Sequence, residues 1–436
     1  MAEPVQEFDC ILIGAGILGT TLAYWLSQSY AGSIAVIDSA ADVASHSSSR
    51  NSGILHRPFY MDPEQRRVFA YCAHVSYDFW KEFAQKRKLP WYPCGTLEIA
   101  LRPEERAVLE KFYSWAKQNG MREDELEILS ELEISKRYPH IRASAGLLVK
   151  TDTSVHFGDF TRALKQDAVG QGAKFLLNTA VTAVEEGPGG LTLRTEKEGV
   201  RFKTKFLMNC AGGNAVDIAH ALGAGLEYTD LHFRGEYWQI SAQKAKWIGL
   251  NVHSLPKQLH LPFLGVHWLA RANGICEIGP SVVPVSGSQT YDSYFASVKE
   301  LWDKIWERPL RNKFLLLKNR EFLQLVIDQW RTSISKDYLI SQVQSYFPGL
   351  ETQDLIKPGT CGIRSALIDA QGGFPREAVL IPGPKSFHVL NYNSPGASGA
   401  PAYAAYLMDR LSNLGYLSHL QKRKSAPVLP WDFKSL

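Results

Sequence analysis

The chain has 436 residues, 45% of them hydrophobic and 21% charged, and its 48 Lys and Arg against 44 Asp and Glu leave a net charge of +4. That length suffices for two intertwined domains with substantial cores, and so slight a basic excess gives no reason to expect a nucleic-acid partner. The six cysteines are scattered without a Cys-x-x-Cys pair, which argues against a disulfide framework and a metal site, so no metal is expected. The first apolar stretch begins close to Met1 and is far too short to span a bilayer; no leader is expected ahead of it, and a cytoplasmic location is the default.

That first stretch carries the clearest motif. Cys10 to Ile13 predicts a buried strand, Gly14-Ala15-Gly16-Ile17-Leu18-Gly19 a turn opening a helix, and Ser33 to Ile37 a second strand ending in Asp38. Gly14 takes the tight turn, Gly16 leaves bare backbone for a pyrophosphate, and Gly19 lets helix and strand pack closely. The helix start offers free N–H groups and partial positive charge to phosphates. Asp38, nineteen residues beyond Gly19, is placed to accept hydrogen bonds from a ribose diol. Strand, glycines, helix, strand and acid in this order predict dinucleotide binding.

Ser45 to Gly53 follows, polar and rich in turn formers. It reads either as a loop whose hydroxyls, Arg50 and Asn51 bond phosphate and ribose oxygens, or as a solvated surface loop. His56, just after the apolar pair Ile54-Leu55, reads either as a satisfied core histidine or as a catalyst.

Pro63 to Lys88 predicts an amphipathic helix, Gly95 to Ala100 a strand, Glu104 to Gln118 a helix and Ala145 to Lys150 a strand. A second structure is thus inserted where a simple nicotinamide dehydrogenase would keep alternating strand and helix. Asp159 to Val169 predicts a helix, and Lys174 to Leu177, Val181 to Glu185, Leu191 to Thr195 and Phe206 to Asn209 predict strands, with a turn at Gly187-Pro188-Gly189-Gly190. Cys210-Ala211-Gly212-Gly213-Asn214 then opens a helix with small residues, suited to close approach of a cofactor or to tight strand-helix packing. Phe233 to Ile240, Pro262 to Trp268 and Cys276 to Pro280 read as strands, and Tyr294 to Tyr346 as mostly helix. Trp302, Trp306 and Trp330 lie there among basic residues, a mixture that either seats at a bilayer surface or packs on the domain with its charges outside.

Near the end, a Pro358-Gly359 turn is expected ahead of Gly362-Ile363-Arg364. Phe387 to Tyr392 reads as a strand leading through Asn393 to Gly399 into a helix from Ala402 to Leu411. The N–H groups at that helix start suit an electron-rich oxygen or a reduced ring. A cofactor held at both chain ends under an inserted domain, with no second Gly-x-Gly-x-x-Gly, points to a flavin rather than a nicotinamide.

Together these motifs resemble the FAD-dependent D-amino-acid-oxidase superfamily and, within it, the L-2-hydroxyglutarate dehydrogenase/oxidase family. The likeness runs in order along essentially the whole chain and is most specific at Arg50 to His56, Phe233 to Tyr237, Leu261 to His267, Trp330 to Thr332 and Gly362 to Ala366. It implies an α/β fold, a Rossmann-like FAD-binding domain (1–60, 150–225 and 358–436) with an inserted α+β substrate domain (61–149 and 226–357). It also implies FAD as cofactor and oxidation of a small-molecule L-2-hydroxy acid, first L-2-hydroxyglutarate to 2-oxoglutarate, by hydride transfer to flavin N5. Quinone or oxygen would be the final acceptor, and peripheral membrane contact stays open.

By the same resemblance His56 is the base, and Arg364 clamps the substrate carboxylate with its guanidinium fork. Expected cofactor contacts are Gly14, Gly16, Ile17, Leu18, Gly19, Asp38, Ser39, Ser47, Arg50, Asn51, Ser52, Val181, Ala211, Gly212, Arg364, Asn393, Ser394, Gly396 and Ala397. Tyr60, Arg234, Glu236 and His267 are candidate substrate contacts, and Arg57, Tyr60, Arg234 and His267 candidate receivers of a second carboxylate. The chain departs from the family pattern at Arg57 to Pro63, Gly279-Pro280-Ser281 and Asn391 to Gly396, all expected near substrate or flavin. The rival readings are a flavin amine or amino-acid oxidase and a non-catalytic flavoprotein interaction module.

Overall fold

The structure, a computed structural model, describes residues 5–256, 261, 265–434 and 436. Of the strand predicted over Pro262 to Trp268, residues 262–264 lie outside the described residues, and the remainder contributes His267–Ala270.

One eight-stranded sheet has a parallel centre in which Lys174–Leu176, Ile34–Ile37, Gln6–Ile13, Arg201–Asn209 and Ser386–Leu390 lie side by side in that order. Ile34–Ile37 and Ser386–Leu390 are buried throughout, as strands covered on both faces must be. Ile13 stands beside both Ile37 and Asn209, so Gly14, Asp38 and Cys210 leave the carboxyl edge of the sheet together. That edge is where open α/β sheets bind ligands. The predicted Gly-Pro-Gly-Gly turn closes a hairpin between Val181–Gly187 and Gly190–Thr195, which extends the sheet antiparallel.

Helix Ile17–Ser29 starts directly after the glycine turn. A side chain at Gly19 would collide with the Gly14 carbonyl oxygen, and Gly14 itself has φ +104, so glycine is required at both places. Trp25 on this helix donates its indole N–H to the Pro401 carbonyl at 2.9 Å, tying it to the terminal helix Gly396–Asn413. Phe69, Ala70, Cys72 and Ala73 of helix Arg67–Arg87 join the same core.

The second sheet runs Leu355–Ile368, Thr229–Ile240, Cys276–Val285, His267–Ala270, Asn251–Ser254, Thr96–Ala100, Ala145–Val149, Leu126–Ser130. Segments far apart in the chain meet in it where Asn251–Ser254 pairs parallel with Thr96–Ala100. The Pro358-Gly359 turn expected from sequence is not formed, because Leu355–Ile368 passes straight through it. Pro358 sits opposite Trp238 beside a register shift, and Gly359 leaves room for the Glu277 carboxylate, which accepts from the Thr360 N–H at 2.9 Å. The boundary expected before residue 358 falls inside this strand, and Arg364 belongs to the second sheet.

Strand Leu126–Ser130 and helix Glu131–Arg137 add to the elements expected, the helix opened by a capping box of Ser130 and Glu133. The helical stretch resolves into Val298–Trp306, Leu310–Leu317, Arg320–Ile334 and Lys336–Gln344. Its tryptophans divide. Trp330 stacks on Tyr294 at 4.7 Å, whereas Trp302 and Trp306 are 61% and 51% exposed. Among the described residues no helix is long and apolar enough to cross a membrane.

Candidate active site

A cavity of about 290 Å³ opens at the carboxyl edge of the first sheet. Of the expected cofactor contacts, Gly16, Ile17, Leu18, Ser47, Arg50, Asn51, Ser52, Gly212, Arg364, Asn393, Ser394 and Ala397 line it. Gly14, Gly19, Asp38, Ser39, Val181, Ala211 and Gly396 do not border it. Several of these shape its backbone instead. Asp38 accepts from the N–H groups of Ala15 at 2.6 Å and Ala40 at 2.8 Å, fastening the glycine turn to the second strand, while Ala211 donates to Asn209 Oδ1 at 3.2 Å and Gly396 to the Asn393 carbonyl at 2.7 Å. Ser39 is exposed and Val181 begins the outer hairpin.

The polar loop between Ser45 and Gly53 is docked on this site rather than spread over the surface. Ser48 Oγ accepts from the Ile17 N–H at 2.9 Å, and Ser47 Oγ donates to the Ile363 carbonyl at 2.6 Å. A side chain at Gly362 would overlap the Arg50 carbonyl, so glycine there lets loop and strand touch backbone to backbone. The cavity fits a flavin dinucleotide by its walls: bare backbone at Gly16, hydroxyls and amides of the docked loop, and residues from the starts of both helices Ile17–Ser29 and Gly396–Asn413.

A second cavity, of about 450 Å³, meets the first at His56, His253, His267, Arg364, Asn391, Asn393 and Ser394. Arg66, Lys111 and Arg376 also line it, against the carboxyls of Asp62 and Glu98, so its walls are cationic. Such a wall suits an anionic substrate.

His56 follows the short strand Ile54–Leu55 and is buried at the meeting of the cavities. Its backbone N–H donates to Ser398 Oγ at 2.8 Å, and its Nδ1 lies 3.3 Å from Asp152 Oδ2. Asp152 is fully buried and accepts as well from the Arg57 N–H at 2.7 Å and Thr96 Oγ1 at 2.8 Å. A carboxylate so held takes the Nδ1 proton of His56 as a hydrogen bond and leaves Nε2 with its lone pair. Asp152 was not anticipated from the sequence, where it sits in an unremarkable turn, Lys150-Thr151-Asp152.

Tyr60 stands edge-on to His56, ring centroids 5.6 Å apart, and burial pushes its hydroxyl up to about 12, which keeps it a donor. His267 is held neutral, lowered to about 3 by burial and then by the charges of His56 and Arg271. Arg364 lies opposite Phe233 in the second sheet; burial, then its neighbour Arg66, lowers its pKa from the usual value. Arg66 donates to the Ser394 carbonyl at 2.9 Å, and its Nε has no hydrogen-bond partner among the described residues.

Arg234 and Glu236, expected from sequence as substrate contacts, are not brought to either cavity. Strand alternation turns Phe233, Gly235 and Tyr237 toward the first cavity and those two residues away from it. Arg234 pairs with Glu236 at 2.7 Å and donates to the Ser293 carbonyl, while Glu236 also accepts from Ser281 at 3.2 Å and Ser333 at 2.6 Å. Arg57 is likewise committed, paired with Glu125 at 3.1 Å and lying over the Tyr77 ring at 4.4 Å. Neither arginine lines either cavity.

The comparisons with known proteins agree with this geometry. The FAD dependent oxidoreductase family matches residues 9–410. The chain is 25% identical to an L-2-hydroxyglutarate dehydrogenase of Salmonella houtenae over 93% of this chain and 94% of the relative. It is 24% identical to the mitochondrial L-2-hydroxyglutarate dehydrogenase of Homo sapiens over 93% and 89%. Its fold superposes with a TM-score of 0.73 and 20% identity on the dithionite-reduced L-alpha-glycerophosphate oxidase of Mycoplasma pneumoniae with FAD bound, covering 98% of this chain and 100% of that one. A Rossmann-like glycine turn, a cavity built to hold a flavin dinucleotide and a match along nearly the whole sequence place the chain in the FAD-dependent oxidoreductase family, with FAD as its cofactor.

Proposed function

We propose that this oxidoreductase acts on an L-2-hydroxy dicarboxylate, with L-2-hydroxyglutarate, giving 2-oxoglutarate, as the first substrate. The observation that carries the reading is His56, oriented by buried Asp152, where the cavity at the carboxyl edge of the first sheet meets a cationic one. FAD, when bound, accepts the two electrons and the hydrogen from C2. His56 Nε2 takes the hydroxyl proton, and the Asp152 carboxylate stabilises the imidazolium that results. Arg364 holds the adjacent carboxylate in its planar fork. Arg66 receives the far carboxylate, in the part assigned from sequence to Arg57, Arg234, Tyr60 or His267. The Tyr60 hydroxyl, a donor at every physiological pH, orients the same end of the substrate. The names of the relatives support the substrate.

For the acceptor, Trp302, Ile305, Trp306 and Phe314 are exposed in the same helical stretch as exposed Arg308, Arg311 and Lys318, a mixture that supports contact with an anionic bilayer and delivery of electrons to a quinone.

The test is anaerobic titration of the yellow protein with L-2-hydroxyglutarate, its D enantiomer, lactate and glycine. The L enantiomer is expected to bleach the flavin bands at the lowest concentration. Preferential bleaching by glycine or by the D enantiomer would overturn the assignment. Arg66→Met, which keeps an apolar stem without the charge, is expected to weaken L-2-hydroxyglutarate binding by about 10- to 100-fold, the worth of a charged hydrogen bond, and to leave lactate unaffected. An equal loss for lactate would move Arg66 away from the far carboxylate.

A further inference from the structure

His253 takes no part in the scheme above. It lies on strand Asn251–Ser254, is 7% exposed, and lines both cavities. Its Nε2 is buried without a hydrogen-bond partner among the described residues, and its Nδ1 faces Glu98 Oε2 at 3.7 Å. The ring centroid is 4.5 Å from that of His267 and 6.0 Å from that of His56. Burial, then the neighbouring His267 and His56, holds the imidazole neutral. A neutral imidazole has one donor and one acceptor nitrogen, and buried polar groups in folded proteins are almost always paired. An unmet nitrogen beside the catalytic base is a contact made for an oxygen that arrives with the ligand.

We propose that His253 is a second catalytic residue, donating a hydrogen bond from Nε2 to the same C2 oxygen whose proton His56 removes, with Glu98 as the positioning residue that sets its tautomer. The proposal rests on the site being a hydroxy-acid oxidase. The ring centroids are 6.0 Å apart and His253 Nε2 is closed off in this structure, so a turn of the His253 ring toward the cavity brings one oxygen within hydrogen-bond length of both rings. A donor there opposes the negative charge that builds on the oxygen as its proton leaves.

Glu98 supplies the control. Burial, then the charge of Asp152, pushes its carboxyl up to about 8, so it is protonated at neutral pH. A small closing movement lets that O–H donate to Nδ1, which places the ring proton on Nε2. Once Glu98 ionises it accepts from Nδ1–H instead, and Nε2 turns from donor to acceptor. The other titratable groups around the pair, His56, Tyr60, Asp152 and His267, come from separate segments packed against it. The sign follows: flavin reduction is favoured below pH about 8 and lost above it.

The test uses the FAD-loaded full chain and whichever acid of the panel above bleaches it fastest. A wrong substrate shows in which acid that is; a wrong role for His253 shows in the ratio of variant to wild type with that acid. His253→Phe is expected to slow flavin reduction about 100-fold, in line with loss of one donor to a developing oxyanion. His253→Gln, whose amide nitrogen reaches the Nε2 position, is expected to recover most of the rate, and His253→Asn, whose amide stops at Nδ1, is not. The Gln and Asn pair decides the matter even where the Phe variant fails to fold. Glu98→Gln, which donates at every pH, is expected to abolish the alkaline loss. Equal rates for the Gln and Asn variants, or an alkaline limb unmoved in Glu98→Gln, would overturn the proposal.

Discussion

Asp152→Asn is expected to leave the fold and the flavin in place and to slow flavin reduction by substrate about 10³-fold, within the range of a lost general base. The asparagine oxygen can still accept from the Arg57 N–H, and the Thr96 hydroxyl can turn to accept from the new amide. Toward His56 the substitution inverts the bond. The amide now donates to Nδ1, which drives the ring proton to Nε2, the atom that must take up the substrate's proton. Anaerobic stopped-flow absorbance measures the loss, with flavin content and melting temperature as controls. A mutant reduced at the wild-type rate would remove the His56–Asp152 pair from the chemistry.

Gly19→Ala is expected to yield protein that purifies with most of its FAD missing and melts about 1–3 °C lower, from about 1–3 kcal/mol of overpacking. The added methyl would collide with the Gly14 carbonyl oxygen, with Cys210 Cβ at 3.3 Å on another side. Gly14 has no room to withdraw, since its own Cβ position is closed by the Cys210 backbone. The methyl meets backbone on one side and, on the other, a Cβ whose position the backbone fixes, so no flexible side-chain end relieves the overlap. Gly170→Ala is the control, because nothing lies within 4 Å of that position. A Gly19→Ala chain with full flavin and unchanged melting would mean that the turn shifts as a unit at no cost.

The glycine turn between its strand and helix was legible because the three are adjacent in sequence and their chemistry is local. Asp152 was not, because its importance comes from a contact with His56 across 96 residues. For Arg234 and Glu236 the alternation of the strand was visible, but not which face would meet the cavity. That depends on how the second sheet sits over the first, which no local pattern carries. Pro358-Gly359 misled for a related reason: the pair that marks a turn also marks a strand approached closely by another group, here Glu277. The capping box at Ser130 and Glu133 was written plainly in the sequence and could have been read there.

Both sheets are completed late in the chain. Gln6–Ile13 needs Arg201–Asn209, which in turn needs Ser386–Leu390, and Thr96–Ala100 needs Asn251–Ser254. A nascent chain therefore leaves the ribosome with open strand edges until almost nine-tenths of it has been made, and so many distant pairings make for slow assembly. Release before residue 386 strands an apolar edge in water, the usual seed of aggregation. Chains that stop short of Ser386 are therefore expected to lose soluble yield.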